Sequence, residues 1–198
     1  MKLTIEKLDE KHLPMVDAFT CVESKEQLQN LKADKRKRII KHSKEMDDFL
    51  REEALAEQTK NQNVTYLFID KANKQIAGYI SLCNDCISLE TAEKDALQLT
   101  YRTIPAIKIA RLAVNNIYKR NGLGKQLIAF AAYVASKIRT YSGLVFVTLD
   151  CYDHRLSYYT AMGFVRNVIQ PIQLQYDSPN SMRILLETLI ENISDNNS

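Results

Sequence analysis

The chain has 198 residues, of which 45% are hydrophobic and 26% are charged, and its formal net charge is +3. This composition is that of a globular protein, and the length favours one domain over several. No apolar run reaches the roughly 18–20 residues of a membrane span, and residues 2–8 lack the apolar core of a signal peptide. Four cysteines are too few for a disulfide scaffold. We therefore expect a cytoplasmic protein without a membrane span.

The positive charge is concentrated in one segment. Between Lys25 and Lys44, eight Lys or Arg residues stand against two acidic ones, which gives a local net charge of +6 and leaves −3 for the rest of the chain. Such a block predicts a polyanionic partner, although a solvated helix face is an alternative interpretation. The segment has no aromatic residue, so it could hold phosphates but could hardly read bases by stacking.

The hydrophobic pattern predicts the elements of the first half of the chain. They are a strand at residues 2–8, a helix at 10–19 with Asp9 as its N-cap, helices across 24–59 with one break near Ser43, strands at 65–70 and 75–83, and a short helix at 91–99.

The second half begins with the clearest pattern, a buried strand followed by a glycine-containing loop and a helix. The predicted elements are a strand at residues 107–114, a helix ending near Arg139, an interior strand at 144–149, a helix at 155–162 ended by Gly163, strands at 164–169 and 182–189, and a frayed tail at 192–198. Because there are no repeats and no flexible linker, we predict a single domain over residues 1–198.

Two glycines, Gly122 and Gly124, stand at the start of the central helix. Glycine permits positive φ and close approach of a ligand, and the first turn of a helix offers unpaired N–H groups and a positive dipole end. Lys119, Arg120 and Lys125 add charge around this turn. The pattern therefore predicts a pyrophosphate site, although it matches neither the Walker loop nor the dinucleotide fingerprint. A purely structural turn is the alternative.

Three motifs together resemble the GNAT superfamily of acyl-CoA-dependent N-acetyltransferases. They are Arg111-Leu112-Ala113-Val114, Lys119-Arg120-Asn121-Gly122-Leu123-Gly124 and Tyr158-Tyr159-Thr160-Ala161-Met162-Gly163-Phe164. The chain departs from the family pattern at Lys119, where Arg or Gln is usual, and at Arg120, where glycine is common.

This resemblance implies an α/β (α+β layered) fold, with a splayed mixed β-sheet of about six to seven strands flanked by helices. It also implies acetyl-CoA as the cosubstrate and no metal. The pantetheine arm would pair with the main chain of Leu112, Ala113 and Val114, whose amides near the acetyl carbonyl would polarise it. The pyrophosphate would rest on the loop residues Lys119, Arg120, Asn121, Gly122, Leu123, Gly124 and Lys125.

The motif also makes Tyr159 the candidate catalytic residue. The thiol of CoA has a pKa of about 8.5 and tyrosine one of about 10, so a phenol can protonate the departing thiolate with little mismatch. The alternative is a buried structural tyrosine, and packing is the expected role of Tyr158. No general base stands out. Asp150, Asp153 and His154 are the candidates, and the alternative for each is an ordinary structural role, such as capping of the next helix by Asp153 or His154. An α-amine, with a pKa near 8, would scarcely need a general base.

The pair Cys83 and Cys86 forms a lone Cys-x-x-Cys. A structural zinc site needs four ligands, and the remaining Cys and His residues are scattered without ligand spacing. A thioredoxin-like role would require the pair to open a helix after a strand. We therefore interpret both as free thiols without a role in the chemistry.

A narrower resemblance concerns the branch that holds the tRNA-acetylating toxins of bacterial toxin–antitoxin pairs. It is carried by Phe19-Thr20-Cys21, by residues 48–54 and by residues 104–114. Toxins of the branch pass from the first motif to the second within a few residues. Here residues 22–45, which we call the basic insertion, intervene. The resemblance implies an aminoacyl-tRNA substrate held through Lys35, Arg36, Lys37 and Arg38, an antitoxin partner and a homodimer. The alternatives are acetylation of a protein, peptide or small-molecule amine, and a non-catalytic CoA-binding or partner-binding module.

Overall fold

The structure is a computed structural model that describes residues 2–170 and 179–195. Its strands are β1 (Leu3–Lys7), β2 (Val64–Asp70), β3 (Gln75–Ser88), β4 (Thr103–Val114), β5 (Phe146–Cys151), β6 (Val165–Arg166) and β7 (Asn180–Leu185). Its helices are α1 (Leu13–Asp17), α2 (Lys25–Leu28), α3 (Ala33–Asp48), α4 (Ala54–Thr59), α5 (Thr91–Ala96), α6 (Leu123–Arg139), α7 (Asp153–Thr160) and α8 (Leu186–Asp195). None of these helices is long and apolar enough to cross a membrane.

The strands form one mixed sheet in the order β1-β2-β3-β4-β5-β7-β6. β1, β2 and β3 are joined by antiparallel pairing, and so are β5, β7 and β6. β4 and β5 run parallel, from Ala106 opposite Phe146 to Ile109 opposite Leu149. The mixed sheet with its flanking helices confirms the predicted fold class.

The chain divides into two compact units. The first contains residues 2–82 and 111–128, and the second contains residues 83–110 and the described part of 129–198. β3, β4 and α6 each contribute residues to both units. The single domain over residues 1–198 stays a prediction, and each unit is described below by itself.

The core of the first unit surrounds Tyr79, which is fully buried on β3. Its ring packs edge-on against Phe19, with centroids 5.5 Å apart, and stacks on Phe49 at 6.2 Å. Its hydroxyl donates to the carbonyl of Met46 at 2.7 Å, and burial raises the pKa of this phenol. These contacts fix the end of α3 against the sheet, because a buried hydroxyl needs a hydrogen-bond partner.

The second unit has an apolar cluster to which β3, β4 and β5 contribute residues. It contains Ile87, Leu89, Ile104, Ala106 and Phe146. An ion pair between Arg183 and Glu93 lies beside it, and Asn167 accepts a second hydrogen bond from the guanidinium at 3.0 Å. This pair joins β7 to α5, and the Arg183 side chain is only 10% exposed.

The predicted break near Ser43 is wrong, because α3 continues through that residue. Ser43 faces inward and is buried, and the chain instead breaks between Leu28 and Ala33. Ser24 and Gln27 form a capping box at the start of α2, whereas α3 begins after Lys32 without a side-chain cap. α3 then passes through a π-helical turn at Phe49–Glu53 into α4.

The predicted strand at residues 182–189 is also wrong in its second half. β7 ends at Leu185, and α8 begins at Leu186 and reaches Asp195, so residues 192–195 of the predicted frayed tail are helical. Leu186, Leu189, Ile190 and Ile193 follow a helical spacing, but a short apolar run does not by itself separate strand from helix. Residues 196–198 of the predicted tail lie outside the described residues.

Other predicted element boundaries differ from those of the structure by several residues. The helix predicted at 10–19 is a 3₁₀ turn followed by the short α1, and the strand predicted at 164–169 covers only Val165–Arg166. β3 runs to Ser88 rather than to residue 83, and β4 starts at Thr103 rather than at residue 107, so both strands are longer than predicted. The alternating polar residues at the end of β3 match one exposed strand face, as its burial pattern shows.

Candidate active site

The loop between β4 and α6 is anchored at its base by Asn115. The Asn115 amide donates to the Ala77 carbonyl at 2.9 Å, and its side-chain nitrogen donates to the Ile76 carbonyl at 3.1 Å. The hydroxyl of Tyr118 donates to Asp70 at 3.0 Å. The loop therefore leaves the end of β4 in a direction that β2 and β3 determine.

The next residues form a row of unpaired donors. The backbone amides of residues 120–124 donate no hydrogen bond within the part of the chain that the structure describes. The first hydrogen bonds of α6 follow these residues, since the amides of Lys125 and Gln126 both donate to the Gly122 carbonyl, at 3.0 and 3.3 Å. Unpaired N–H groups at the positive end of a 17-residue helix favour the binding of an anion.

Glycine is needed at two positions in this region, Gly122 in the loop and Gly78 on the adjacent strand β3. Gly122 has a φ of +75°, and Arg120 also has a positive φ, of 64°. A side chain at Gly122 would meet nothing within 4 Å, so the conformation rather than the space requires glycine there. Gly78 on β3 has the opposite reason, because a Cβ there would lie 3.0 Å from the Ala113 carbonyl and 3.2 Å from Leu127.

The three basic residues of the loop differ in their surroundings. Arg120 and Lys125 are exposed and make no ion pair within the described chain. Lys119 is different, since its ammonium lies 2.7 Å from Glu23 and donates to the Cys21 carbonyl. We expected Lys119 to add free charge to the site, but its charge is already balanced by a carboxylate of the basic insertion.

The residues predicted to contact the pantetheine arm lie at the end of β4. Ala113 is buried, and Leu112 and Val114 are half-buried. The parallel pairing of β4 with β5 ends at Ile109, whereas β4 continues to Val114. In the loop, Asn121 is exposed, whereas the side chain of Leu123 is buried in the core of the first unit.

Tyr159 belongs to the second unit and lies near the end of α7. Its ring is packed edge-on between Tyr158 and Phe164, with centroids 5.1 and 5.8 Å away. Its hydroxyl makes no hydrogen bond to any described residue, and burial raises the pKa of the phenol. The side chain is therefore packed between two rings, stays protonated at neutral pH and has its O–H group available to donate.

The candidate bases have other partners. Asp150 lies 2.6 Å from the ammonium of Lys108, and Asp153 accepts a hydrogen bond from Asn180 at 2.8 Å. The ring of His154 stacks on Tyr152, with centroids 6.2 Å apart. Neither Asp153 nor His154 caps the helix, because Tyr152 occupies the N-cap position of α7 without a side-chain bond.

The basic insertion forms α2 and most of α3. Lys35, Lys37 and Arg38 are exposed on α3, Arg36 is half-buried, and none of the four forms an ion pair with a described residue. Further along α3, Lys41 lies 3.8 Å from Glu45. The structure therefore presents three of the four predicted phosphate contacts to solvent.

The cysteines do not form a chemical site. Cys83 and Cys86 lie within β3 rather than at the start of a helix, so the arrangement of a thioredoxin-like motif is not present. Cys21 and Cys151 are buried, and burial raises the pKa of the Cys151 thiol to about 11. Among the described residues, no group of three or more His, Cys, Asp or Glu could hold a metal ion.

Three residues that shape the loop were not singled out from the sequence. Gly78 had a signal, because a glycine inside a strand often marks the close approach of another backbone. Asn115, directly after a strand, is a residue type that often bonds to its own backbone. Glu23 had no local signal, since its partner Lys119 lies 96 positions away in the chain.

Comparison with known proteins places this geometry in a family. The sequence model of the acetyltransferase (GNAT) domain matches residues 22–174. A mutant of KacT with phenylalanine in place of a tyrosine has the same fold, with a TM-score of 0.73 and 16% identity over 96% of this chain and 99% of that chain.

AtaT in complex with acetyl-methionyl-tRNAfMet gives a TM-score of 0.72 at 18% identity, covering 96% of this chain and 98% of that chain. AtaTR bound with acetyl-CoA gives 0.68 at 19% identity, covering 96% of each. At such identities the structural likeness shows the shared fold, while the match of the domain model over most of the chain shows the family. The chain belongs to the GNAT acetyltransferase family and is an acetyltransferase.

Proposed function

We propose that this acetyltransferase takes its acetyl group from acetyl-CoA and transfers it to the α-amine of an aminoacyl-tRNA. The main observation in support of acetyl-CoA binding is the row of five unpaired amides at residues 120–124. The exposed basic surface of α3 supports the binding of tRNA. AtaT, which shares the fold, has been observed with acetyl-methionyl-tRNAfMet.

The loop holds the pyrophosphate of acetyl-CoA in this proposal. The amides of residues 120–124 donate to its oxygens, and the side chains of Arg120 and Lys125 add two positive charges from solvent. Because the loop conformation is already fixed by Asn115 and Gly122, binding orders little additional chain. The pantetheine arm pairs with the main chain of Leu112, Ala113 and Val114, as an added strand would.

Tyr159 acts as the general acid. The substrate amine attacks the thioester carbonyl carbon, and the carbon–sulfur bond breaks as the acetyl group moves to nitrogen. The phenol gives its proton to the departing sulfur, and the new amide nitrogen gives up its extra proton to solvent, from which the phenolate is reprotonated. Burial raises the pKa of Tyr159, so the phenol is protonated at neutral pH but is a weaker acid than an ordinary tyrosine, and its match with the CoA thiol is poorer than the sequence predicted.

The chain supplies no dedicated base in this scheme, and the substrate explains why none is needed. Asp150 and Asp153 are held by Lys108 and Asn180. An α-amine has a pKa near 8, against about 10.4 for a lysine side chain, so a useful fraction is neutral at pH 7. This difference favours an α-amine over a lysine as the acceptor.

An antitoxin is the proposed protein partner. Solved structures with the same fold include AtaT bound to the C-terminus of the antitoxin AtaR, and a KacTA–DNA complex. If this chain is a toxin, its expression should arrest bacterial growth, and co-expression of a cognate antitoxin should restore growth. The Tyr159→Phe variant should be tolerated without the antitoxin.

The direct test incubates the protein with acetyl-labelled acetyl-CoA and charged tRNA. The label should appear on the aminoacyl group with the wild type and not with Tyr159→Phe. Release of CoA that responds to free amines or peptides, but not to charged tRNA, would replace the RNA with another acceptor. Binding of acetyl-CoA without turnover on any amine would contradict the enzymatic proposal and leave a CoA-binding module.

A further inference from the structure

We propose that Glu23 is a positioning residue of the loop at residues 119–125, which we call the pyrophosphate loop. The carboxylate of Glu23 holds the Lys119 ammonium in an ion pair and so withdraws one positive charge from acetyl-CoA. This inference rests on the proposed function, since it assumes that the loop binds the cosubstrate. It assigns a role to the basic insertion that differs from RNA binding.

The ion pair is short and largely removed from solvent. Lys119 Nζ lies 2.7 Å from Glu23 Oε1, and the two side chains are only 18% and 12% exposed. At such burial, a charge that loses its partner is destabilised because solvent reaches it only partly. The Lys119 ammonium therefore gains little by leaving Glu23 for a phosphate.

Both partners are held by further contacts. Ser43 on α3 donates to Glu23 Oε2 at 2.9 Å, and Lys119 also donates to the carbonyl of Cys21. The segment that carries Glu23 is fixed by Asp47, which accepts from the Thr20 hydroxyl at 2.7 Å and from the Cys21 amide at 2.8 Å. Contacts with α3 thus orient the carboxylate of Glu23.

The same segment is tied to the loop through its backbone. The amide of Asn116 donates to the Thr20 carbonyl at 2.9 Å. Glu23 therefore belongs to a continuous hydrogen-bonded network that connects α3 with the start of the pyrophosphate loop. Within the described chain, Arg120 and Lys125 have no counter-ion, so they are the residues whose charge remains for an anion.

This arrangement predicts effects of opposite sign for the two partners. Removing the carboxylate with Glu23→Gln releases one positive charge beside the pyrophosphate, and should tighten acetyl-CoA binding about threefold at low salt. Removing the ammonium with Lys119→Gln leaves the carboxylate unbalanced and should weaken binding by about the same factor. A purely structural tie would weaken binding in both variants.

The experiment measures the Kd of acetyl-CoA for the wild type, both single variants and the double variant Glu23→Gln/Lys119→Gln. We expect the double variant to lie within about twofold of the wild type, and the differences to shrink at high salt. Acetyl-pantetheine, which lacks the pyrophosphate, should bind all four proteins equally. Thermal unfolding of each variant records any loss of stability separately from these affinities.

Arg120→Gln and Lys125→Gln are matched controls that should each weaken binding of acetyl-CoA. Equal weakening in Lys119→Gln and the double variant, with Glu23→Gln unchanged, would make Lys119 a direct phosphate ligand and overturn the inference. Parallel losses in both single variants, for acetyl-pantetheine as well, would reduce the pair to a structural tie and overturn it too. If neither control weakens binding, the loop is not the cosubstrate site, and the proposed function itself fails.

Discussion

The pyrophosphate loop and the surroundings of Tyr159 achieve their proposed roles by different means. The loop offers backbone amides whose positions depend on Asn115, Gly122 and the first turn of α6. Tyr159 offers one hydroxyl, held by the rings of Tyr158 and Phe164. In the proposed mechanism, binding is distributed over five peptide groups, whereas the chemistry depends on a single side-chain oxygen. Single substitutions should therefore affect the two functions very unequally.

The largest expected effect follows from removing that one atom. Tyr159→Phe keeps the ring and its packing, so we expect the Kd of acetyl-CoA to change little while kcat falls by roughly 10²–10⁴. Tyr158→Phe is the matched control, since it removes a neighbouring hydroxyl from the same helix and should leave kcat within about threefold. Steady-state and binding measurements on both variants would separate the two roles. Unchanged turnover in Tyr159→Phe would make it a packing residue.

Binding at the loop depends on backbone amides, so only a substitution that alters the backbone conformation or the charge of the loop should weaken it strongly. Gly122→Asp places a carboxylate beside the amides and a side chain at a φ of +75°, and should weaken acetyl-CoA binding roughly 10–100-fold. Gly122→Asn has nearly the same size and tolerates positive φ, so it isolates the charge and should cost less. Titration calorimetry of both variants measures the difference. Equal affinities would mean that no anion binds there.

The basic surface of α3 offers a third mode of binding, through exposed side chains. Replacing Lys35, Lys37 and Arg38 with Ser should weaken tRNA binding across sequences and lower the salt slope by about two to three. Acetyl-CoA affinity should not change. The control replaces three other exposed lysines, Lys2, Lys7 and Lys60, for the same loss of charge. If both triple variants bind tRNA alike, α3 is an ordinary solvated helix.

The smallest expected effect lies away from both regions, at Glu6. Hydrogen bonds from Lys11, His12 and Lys71 hold the pKa of this carboxyl at about 2, well below its ordinary value. Because the folded-state pKa is depressed, the stabilisation is complete above about pH 4.5 and is lost as the pH falls towards 2. Glu6→Gln should lower the unfolding temperature at pH 7, and the difference from the wild type should vanish near pH 2. A constant difference would contradict this account.

Local sequence predicted much of the proposed site. The strand, the two glycines and the helix that follow one another at residues 103–139 form a contiguous unit, so their order alone indicates an anion-binding turn. Tyr159 and Gly163 likewise lie in one short motif, and Gly163 has the positive φ expected of a helix end, at 92°. These features depend on neighbours within a few residues.

The parts that escaped prediction depend on distant partners or on ambiguous patterns. The charge of Lys119 could not be judged without Glu23, and the inward direction of Ser43 depends on that same carboxylate. The start of α8 at Leu186 lies inside an apolar run that suits a strand equally well. In the first two cases a tertiary contact with Glu23 decides the outcome.

A crystal structure with acetyl-CoA would test the central claim most directly. We predict pyrophosphate oxygens within hydrogen-bonding distance of the amides of residues 120–124, the thioester near the hydroxyl of Tyr159, and Lys119 still paired with Glu23. A cosubstrate bound elsewhere, or a pyrophosphate that does not contact these amides, would contradict the account.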